Sequence, residues 1–499
     1  NPYFLISAIG FILYLPSLFF NFTYADDNVL ILDNQVFFKS ISNIPTSFKE
    51  ALLFAVPSLA AYYRPVLLIS FILDAQIGGT APFVYHLSNL IFHLTASILV
   101  YLFLCRIGYN KDLSFIFALV FTVHPLLTQA VAWIPGRNDL LLAIFVLGSF
   151  IFLIDFCKDN KGYQAFLHLL FFALALFTKE SAIVLILIFI MYFILIKPSK
   201  VTIKNLFIPM AWLSIFILWF LVRKTALNNS THLLMLDVFK SIIVNFPALV
   251  IYVGKLFFPL NLSAFPDMHN STKIYGFLVI AVFVIALFFS KEKRYNFIIF
   301  GLSWFLLFLL PTFLPLSAFK DIQFFEHRIY VPMIGFIILI LEIDFIKKLD
   351  IRKRINALII TLILLILSVT TLSYSETFRN DLNFWENAVK FHPNSPIAHN
   401  SLGGAHQAHG LLLEAETEYK KSLELDPKQK MVHSNLGVIY MDKNMLREAE
   451  EEYKKEIALN PLFDKVYFNL ARLYYKQGRL KEAEESRKKL LEINPNFFK

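Results

Sequence analysis

Two adjacent carboxylates, Asp26 and Asp27, lie in the segment YADDNVLIL directly after the first long apolar run of the chain. Neighbouring carboxylates repel each other, so the pKa of one can rise until it acts as a general base near neutrality. A solvated loop or a helix cap is the alternative interpretation. The position where a helix leaves the lipid favours a functional role, because ionisable residues there are functional candidates by default.

Four cations form a second group, since each lies at a predicted outer turn beside apolar helices: Arg64 in YYRPV, Arg137 in WIPGRND, Lys179 in FTKES and Arg328 in FEHRIYVP. Arg offers bidentate contacts to a phosphate, and Lys offers a point charge. Basic side chains also snorkel at helix ends, which accounts for one or two of them better than for four. Converging cations therefore favour a phosphate ligand.

Several neighbours of these cations have local interpretations as well as functional ones. Glu180 could pair with Lys179 at a tight hairpin, and Glu326 and His327 could form a local ion pair with Arg328. All three neighbours are predicted supporting residues of the same site.

Three further residues are less specific signals. His124 precedes a proline and is more often a packed or capping histidine than a base, but it is kept as a supporting candidate. Asp139 is predicted to cap the helix that follows it. The role of Asp267, in a predicted outer loop, stays open.

Together these groups suit the transfer of a sugar from a lipid phosphate. A carboxylate takes the proton of an acceptor hydroxyl, which attacks the anomeric carbon of the sugar. The leaving lipid phosphate needs charge stabilisation more than it needs a proton, and nearby cations supply that stabilisation.

The elements that position these residues are predicted to be membrane helices. The 499 residues are 57% hydrophobic and only 17% charged, whereas soluble proteins carry about a quarter charged residues. Much of the Lys and Arg behind the net charge of +9 lies in short loops between apolar runs, where it sets membrane orientation. We therefore expect membrane lipids, and no nucleic acid, among the partners. Cys105 and Cys157 each end an apolar run beside basic residues, which predicts neither a disulfide framework nor a cysteine metal site.

The basic loops set the predicted topology, since positive loops stay in the cytoplasm. The N-terminus is then inside and the C-terminal domain outside, and the first apolar run is a membrane anchor rather than a signal peptide. Two apolar stretches, 51–73 and 238–258, fall within two large outer loops, 23–83 and 223–273, and are predicted to lie in the outer face. The eleven predicted crossings are roughly 4–22, 84–105, 113–131, 139–156, 163–178, 181–196, 205–222, 274–289, 295–313, 329–346 and 355–374.

Residues 394–499 have a different pattern, which is typical of three tetratricopeptide repeats (TPRs). Prolines recur every 34 residues, the period of a TPR, at 393, 427, 461 and 495. Segment 376–393 is predicted to be an extra half repeat that joins the array rigidly to the membrane domain, 1–375. The concave face is predicted to bind a protein or peptide acceptor. Its predicted contact residues are Asn400, Gln407, Ser434, Phe468 and Tyr475, with Met431 and Met441 beside them.

The motifs YADDN, YYRP, HPLLTQAVAWIPGRNDLL, FTKES and EHRIYVPMIGF, in this order before TPRs, resemble the transmembrane O-mannosyltransferases with tetratricopeptide repeats. The resemblance covers nearly the whole chain. That family is part of the GT-C glycosyltransferases, which implies an all-α polytopic bundle of about eleven membrane helices followed by an α-solenoid. It also implies a catalytic acid in a long first outer loop, and an inverting transfer of mannose from a polyprenyl-phosphate donor to Ser or Thr of a protein.

The resemblance also assigns roles to residues. It places the catalytic base in the DD motif, as Asp26 or Asp27, with Asp27 preferred. The animal members have ERVLY where this chain has EHRIY, so either His327 or Arg328 can take the role of that arginine. The residues implied to hold the donor phosphate are Arg64, Arg137, Lys179 and Arg328.

The setting is inferred from the same resemblance and from composition. No cofactor is expected, and a divalent metal, which other GT-C enzymes use, is possible but not favoured. Low charge, richness in Phe, Ile and Lys, and a short repeat array suggest a bacterial member. Undecaprenyl phosphate would then carry the sugar, and the TPRs would lie on the periplasmic side of the inner membrane.

Two other functions stay open at this point. The same fold could act on a glycan or lipid acceptor. Alternatively, the membrane part could anchor a non-catalytic TPR scaffold for envelope assembly.

Overall fold

The computed structural model describes residues 1–52, 62–197, 207–227, 235–266, 268, 271–313, 324–495 and 497, with the main chain alone at 235–239. Asp267 and part of the first predicted outer loop lie outside these residues. The chain divides into two compact units, Asn1–Asn380 and Asp381–Lys499.

The first unit is built from helices throughout its described residues. Short 3₁₀ or π turns connect several of them, among them Leu15–Phe19, Asn28–Leu32, Ile134–Gly136, Glu180–Val184, Tyr192–Ile196 and Glu326–Ile329. The α-helices are α1 (Pro2–Tyr14), α2 (Gln35–Phe38), α3 (Pro65–Gly78), α4 (Pro82–Arg106), α5 (Lys111–Val123), α6 (Thr128–Ala132), α7 (Arg137–Asp159), α8 (Gly162–Thr178), α9 (Leu185–Met191), α10 (Phe207–Ala226), α11 (Met235–Phe257), α12 (Ile274–Phe289), α13 (Tyr295–Leu309), α14 (Pro332–Ile340), α15 (Asp344–Lys347) and α16 (Arg354–Ser375).

Proline fixes the helix boundaries that matter for the site. Pro65, Pro82 and Pro332 each occupy the first turn of their helix, where a missing N–H costs nothing and the fixed φ is already helical. Pro125 follows α5, and the chain bends by 52° between α5 and the next helical segment. Proline cannot donate to the preceding turn, so the helix stops here and the chain folds back into the segment that carries Trp133.

Seven helices in the described part of the chain are long and apolar enough to cross a membrane, and the bent pair after Lys111 is an eighth if it counts as one span. This confirms the predicted all-α polytopic membrane fold. The seven are Pro2–Phe19, Pro82–Arg106, Ile134–Asp159, Phe207–Ala226, Lys240–Phe257, Tyr295–Phe313 and Arg354–Phe378.

Individual crossings differ from the prediction of eleven. Three of them correspond to shorter apolar helices, Gly162–Thr178, Glu180–Ile196 and Ile274–Phe289. The predicted crossing 329–346 is not one long helix, because it contains the nine-residue α14 and then the start of α15. Conversely, Lys240–Phe257, which we expected to lie in the outer face, passes the test for a span by length and composition. The number of crossings and their orientation therefore stay predictions.

The second unit consists of helix pairs at the predicted period, which confirms the TPR fold. Small residues let the two helices of a repeat meet, since a Cβ at Gly403 would lie 2.7 Å from the ring of Tyr419, and one at Gly437 would lie 2.4 Å from that of Tyr453. The helices are α17 (Asp381–Phe391), α18 (Pro396–Ala408), α19 (Leu412–Leu425), α20 (Val432–Asp442), α21 (Leu446–Leu459), α22 (Asp464–Lys476) and α23 (Leu480–Ile493).

The predicted half repeat corresponds to α17, which belongs to the second unit. It packs on α18, and Asp381 near its start lies 3.0 Å from His409 Nε2. Its predicted role as a rigid joint to the membrane domain stays a prediction.

Candidate active site

The acid pair, Asp26 and Asp27, lies on a loop that follows the first membrane span. Apolar residues of this loop anchor it in the protein. Phe20 and Phe22 are buried, and the Asn21 N–H between them donates to the Arg379 carbonyl at 2.8 Å. Asp26 adopts a left-handed backbone conformation, with φ +80°, which few non-glycine residues adopt and which often marks a functional loop.

The two carboxylates differ in exposure. Asp27 is 1% exposed, and its Oδ2 accepts hydrogen bonds of 2.6 Å from both the backbone N–H and the hydroxyl of Thr23. Asp26 is exposed. One carboxylate is therefore fixed in the protein and the other can reach a substrate.

Both carboxyls have raised pKa values. Burial raises the pKa of Asp27 to about 7, although the Thr23 hydrogen bonds oppose the shift, and the neighbouring charge of Asp26 adds to it. Partial desolvation by the surrounding protein also raises the pKa of Asp26, even though water reaches its side chain. The pair thus exchanges protons closer to neutral pH than ordinary aspartates do.

Trp133 connects the acid loop to the segment that contains Arg328. Its indole Nε1–H donates to Thr23 Oγ1 at 3.2 Å and to the Ala25 carbonyl at 3.1 Å. Its ring stacks on Phe325, with centroids 6.4 Å apart, and lies 5.7 Å from the ring of His327. A continuous set of contacts therefore runs from Asp27 to His327.

Lys179 and Asp139 form the centre of a charged cluster next to His327. Lys179 Nζ donates to both carboxylate oxygens of Asp139, at 2.7 and 2.8 Å, and His327 Nε2 lies 3.9 Å from Asp139 Oδ2. Burial lowers the pKa of Lys179, Asp139 raises it, and the nearby positive charges of Arg64 and Arg328 lower it. Three of the four predicted cations are thus brought together.

The other two cations of the cluster are oriented by local contacts. Arg64 Nε lies 3.1 Å from Glu180 Oε2, and Glu180 Oε1 accepts the backbone N–H of Tyr63 at 2.8 Å. Arg328 donates through Nη1 to the Thr312 carbonyl at 3.0 Å and lies over the ring of Phe325. The side chains of Arg64 and Glu180 keep 13% and 14% exposure, so this part of the cluster is open to a ligand.

His327 is neutral in this setting. Burial, and then the charges of Lys179, Arg328 and Arg64, hold its pKa well below the usual value. Its backbone N–H donates to Gln129 Oε1 at 3.1 Å. Within EHRIY, Arg328 is therefore the residue that carries positive charge at neutral pH.

The described part of the cluster groups three cations, Arg64, Lys179 and Arg328, with two carboxylates, Asp139 and Glu180. Several cations gathered in a half-buried position favour an anionic ligand.

Arg137 is separate from this cluster and fully buried, with 0% exposure. It forms an ion pair of 2.6 Å with Asp74, and it donates to Asn89 Oδ1 at 2.7 Å and to the Tyr85 carbonyl at 2.8 Å. These partners come from α3 and α4, so the guanidinium ties both helices to the start of α7. We interpret Arg137 as a structural residue rather than part of a phosphate site.

Glu326 and His124 also have structural partners. Glu326 is buried and pairs with Lys255 Nζ at 2.5 Å, and it accepts the backbone N–H of Ser263 at 3.3 Å. His124 Nδ1 accepts the N–H of Leu126 at 3.2 Å, and its Nε2 lies 3.0 Å from the Leu256 carbonyl. His124 thus caps the turn after α5.

The predicted TPR contact residues divide into two groups. Phe468 and Tyr475, with Met441 beside them, line a groove of about 750 Å³. Asn400 and Gln407 have partners within the array, since Asn400 accepts from Asn435 at 3.1 Å and Gln407 accepts from the Tyr419 hydroxyl at 2.8 Å. Ser434 is buried.

Sequence reasoning missed Thr23, Trp133 and Asp74, and it was wrong about Asp139. The N-cap of α7 is Gly136, without a side-chain cap, and the carboxylate of Asp139 binds Lys179 instead. Thr23 could have been identified by its proximity in sequence, since it lies four residues before Asp27 within one short loop. No local signal identified Asp74, which is 63 residues from Arg137 in sequence.

Within the ranges described above, no group of three or more His, Cys, Asp or Glu side chains could hold a metal ion. The expectation about metal dependence stays untested.

Comparison with known proteins supports the membrane and repeat assignments. Residues 65–227 match the family model of dolichyl-phosphate-mannose-protein mannosyltransferases, a region that contains Asp139, Lys179 and Glu180 but neither Asp26 nor Asp27. Residues 432–461 and 464–497 match tetratricopeptide repeat models.

The chain is also similar to animal proteins named as protein O-mannosyl-transferases. The chain is 28% identical over 386 residues to protein O-mannosyl-transferase F38B6.6 of Caenorhabditis elegans, covering 73% of this chain and 54% of that one. It is 34% identical over 151 residues to protein O-mannosyl-transferase TMTC3 of Mus musculus, covering 30% of this chain and 16% of that one. With human protein O-mannosyl-transferase TMTC1 it shares 37% over 102 residues, covering 20% and 11%.

The matched region thus spans about half of the nematode relative and less than a fifth of the two mammalian ones. The expected likeness to O-mannosyltransferases with TPRs is confirmed. A bacterial origin stays a prediction.

Proposed function

We propose that this chain, which combines a mannosyltransferase-family membrane region with tetratricopeptide repeats, moves mannose from a polyprenyl-phosphate donor to a Ser or Thr hydroxyl of a protein. The observation that carries the proposal is the contact path from the acid pair through Trp133 to a cluster that brings Lys179, Arg64 and Arg328 together. The likeness to protein O-mannosyl-transferases supports the choice of sugar and acceptor.

Asp26 is the proposed general base, in place of Asp27, which the sequence favoured. Asp26 is accessible, whereas Asp27 is enclosed and already accepts two hydrogen bonds from Thr23. The acceptor O–H transfers its proton to Asp26 while its oxygen forms the new bond to the anomeric carbon. The bond from that carbon to the phosphate oxygen breaks, and its electron pair leaves with the lipid phosphate. Attack on the face opposite the leaving group inverts the configuration.

The cluster of Lys179, Arg64 and Arg328 is the proposed phosphate site. A polyprenyl-phosphate sugar is a phosphodiester with one negative charge, and the grouped cations of the cluster favour such an anion. The phosphate gains a second negative charge as the sugar leaves, so the cations stabilise the transition state more than the bound donor. Arg137 has no place in this step, because its charge is satisfied by Asp74.

The proposed setting is a bacterial inner membrane with the acid loop, the cationic cluster and the TPR unit on the periplasmic side. Positive loops between the apolar runs support this orientation. Undecaprenyl phosphate is the proposed sugar carrier, and the TPR unit is the proposed binding site for the acceptor protein.

The test is transfer of labelled mannose from polyprenyl-phosphate mannose, by purified protein in lipid, to proteins of a lysate, with mass spectrometry to identify what gains a hexose. Asp26→Asn is expected to abolish transfer while the protein stays folded. Asp33→Asn is the matched control, because Asp33 is exposed in the same loop and seven residues from Asp26.

Three results would count against the proposal. Full activity of Asp26→Asn would remove Asp26 as the base. Product on a glycan or a lipid alone would replace the protein acceptor. The absence of donor turnover together with retained partner binding by the TPR unit would favour a scaffold.

A further inference from the structure

A narrow gap separates the side chains of His327 and Asp139 beside the cationic cluster. His327 Nε2 lies 3.9 Å from Asp139 Oδ2, and the two side chains are 10% and 4% exposed. This distance is too long for a direct hydrogen bond. An oxygen placed at about 2.8 Å from each of the two atoms would span it, so the gap has the size of one bridging hydroxyl or water.

The backbone and the ring of His327 are both held in place. Its backbone N–H donates to Gln129 Oε1 at 3.1 Å, and Gln129 Nε2 donates in turn to the Ala264 carbonyl at 3.0 Å. The centroid of the imidazole lies 5.3 Å from that of the Phe325 ring and 5.7 Å from that of the Trp133 ring. The imidazole therefore has a fixed position and orientation.

The two ring nitrogens of His327 have different surroundings. Nδ1 is enclosed and has no hydrogen-bond partner among the described residues, whereas Nε2 faces the carboxylate of Asp139. The ring is neutral, because burial and the charges of Lys179, Arg328 and Arg64 hold its pKa well below the usual value. A neutral imidazole has one N–H donor and one acceptor nitrogen, and the carboxylate favours the proton on Nε2. The gap thus has a donor on one side and an acceptor on the other.

A hydroxyl matches this pair of groups, because it accepts through its oxygen and donates through its proton. At the gap it would accept from His327 Nε2–H and donate to Asp139 Oδ2. A phosphodiester offers only acceptor oxygens, which the carboxylate of Asp139 repels. The gap is therefore suited to a hydroxyl group of the ligand rather than to its phosphate.

The gap adjoins the proposed phosphate site, because Asp139 belongs to both. Lys179 Nζ donates to the two carboxylate oxygens of Asp139 at 2.7 and 2.8 Å, and the charges of Arg64 and Arg328 act on Lys179 and on His327 alike. In a sugar that is joined to a lipid phosphate through its anomeric carbon, C1, the free hydroxyl nearest to the phosphate along the covalent path is the one on C2. This hydroxyl is the one that a site beside the phosphate meets first.

We propose that the gap between His327 Nε2 and Asp139 Oδ2 binds the C2 hydroxyl of the donor sugar and selects mannose over glucose. The two hexoses differ only at C2, where the hydroxyl is axial in mannose and equatorial in glucose. Two groups fixed 3.9 Å apart discriminate between these directions, and the likeness to protein O-mannosyl-transferases favours the axial one. The inference rests on the proposed function, because it requires a sugar held by a lipid phosphate.

The probe is mannose linked to a short-chain polyprenyl phosphate, compared with its 2-deoxy, 6-deoxy and glucosyl analogues. The readout is the dissociation constant, measured by calorimetry with the purified full-length chain and without an acceptor. Removing the C2 hydroxyl, or inverting it in the glucosyl analogue, is expected to weaken binding roughly 10- to 100-fold, because a hydrogen bond to a charged group is lost. The 6-deoxy analogue is the ligand control, since its missing hydroxyl is remote from the phosphate.

Substitutions of His327 test the same contact from the side of the protein. His327→Phe keeps an aromatic ring and removes the N–H donor, so the preference for the mannosyl over the 2-deoxymannosyl donor should fall roughly 3- to 10-fold. His327→Gln places an amide N–H near the position of Nε2 and should retain most of the preference. His124→Gln is the matched control and should leave the preference unchanged, because this buried histidine of the same unit bonds to main-chain groups of Leu126 and Leu256.

The outcomes separate this inference from the proposed function. Equal affinity of the native chain for the mannosyl and 2-deoxymannosyl donors would overturn the inference and leave a water in the gap. A preference that His327→Phe does not change, or that His124→Gln reduces equally, would overturn the role of His327. Transfer of mannose to protein without any C2 preference would overturn the inference alone, whereas C2-dependent donor binding without transfer to any protein would overturn the proposed function alone. Absence of donor binding would overturn both.

Discussion

Replacing Thr23 by valine tests how the proposed active site sets the protonation of its acid pair. The change keeps the shape of the side chain and removes the hydroxyl that donates to Asp27 Oδ2 at 2.6 Å and accepts from Trp133 Nε1 at 3.2 Å. The backbone N–H of Thr23 still donates to the same carboxylate. The substitution therefore removes one of the two hydrogen bonds that Thr23 donates to Asp27, while the Trp133 indole keeps its bond to the Ala25 carbonyl.

The expected size follows from the strength of that bond. A hydrogen bond to a charged group contributes about 1.5–3 kcal/mol, and one pKa unit corresponds to about 1.4 kcal/mol. The pKa of Asp27, about 7 in the native protein, should rise by roughly 1–2 units, because the lost bond favoured the ionised form. If the ionised pair is the active form, the rate at pH 7 falls roughly 5- to 50-fold and recovers at higher pH.

The assay is the initial rate of mannose transfer from about pH 5 to about pH 10 for the native protein, Thr23→Val and Thr23→Ser. Serine keeps the hydroxyl, so its profile should stay close to the native one. Recovery of the valine variant at high pH separates a pKa change from misfolding, which no pH restores. A valine profile that superimposes on the native one would refute the reasoning.

Three further predictions follow from the contacts of single residues. Trp133→Phe keeps the stacking ring but removes the Nε1–H donor, so kcat should fall roughly 2- to 10-fold with little change in thermal unfolding. Arg137→Gln leaves Asp74 buried without its ion-pair partner, which should lower the free energy of unfolding by about 3–5 kcal/mol while the donor KM of the folded fraction stays unchanged. Burial raises the pKa of Glu450, but hydrogen bonds from basic neighbours overcome this effect and lower the pKa to about 2. An ionised carboxylate with a depressed native pKa stabilises the fold at pH values above its unfolded pKa, so the repeats should lose stability as the pH falls from about 4.5 towards 2. In an acid titration followed by circular dichroism, Glu450→Gln should flatten that dependence.

The contrast between Arg137 and Lys179 shows how far the sequence could predict the site. Both follow apolar runs and both match the pattern of a phosphate-binding cation. Arg137 is enclosed by Asp74 of α3 and Asn89 of α4, whereas Lys179 lies near the cations Arg64 and Arg328. Only tertiary packing separates them, because the deciding partners are distant in sequence.

The fold shows a similar division between local and tertiary information. A repeat of 34 residues and long apolar runs are properties of the sequence itself, so the TPRs and the membrane fold were predictable. The bend of 52° after α5 depends on Pro125, which can be read from the sequence. The contact of Trp133 with Thr23 could not be predicted, because no rule of spacing relates a residue after a bend to a loop 110 positions earlier.

Charge movement explains why an acid pair and a cationic cluster belong to one site. In the proposed reaction, Asp26 loses one negative charge when it takes the proton of the acceptor, and the phosphate gains one when the sugar leaves. One unit of negative charge therefore moves from the acid loop to the cluster of Lys179, Arg64 and Arg328. A base of ordinary pKa would resist taking the proton, whereas the raised pKa values of Asp26 and Asp27 reduce the free-energy cost of that half of the step. The cations reduce the cost of the other half, so removing either group should slow the same step, and a variant that lacks both should lose less than the product of the two separate losses.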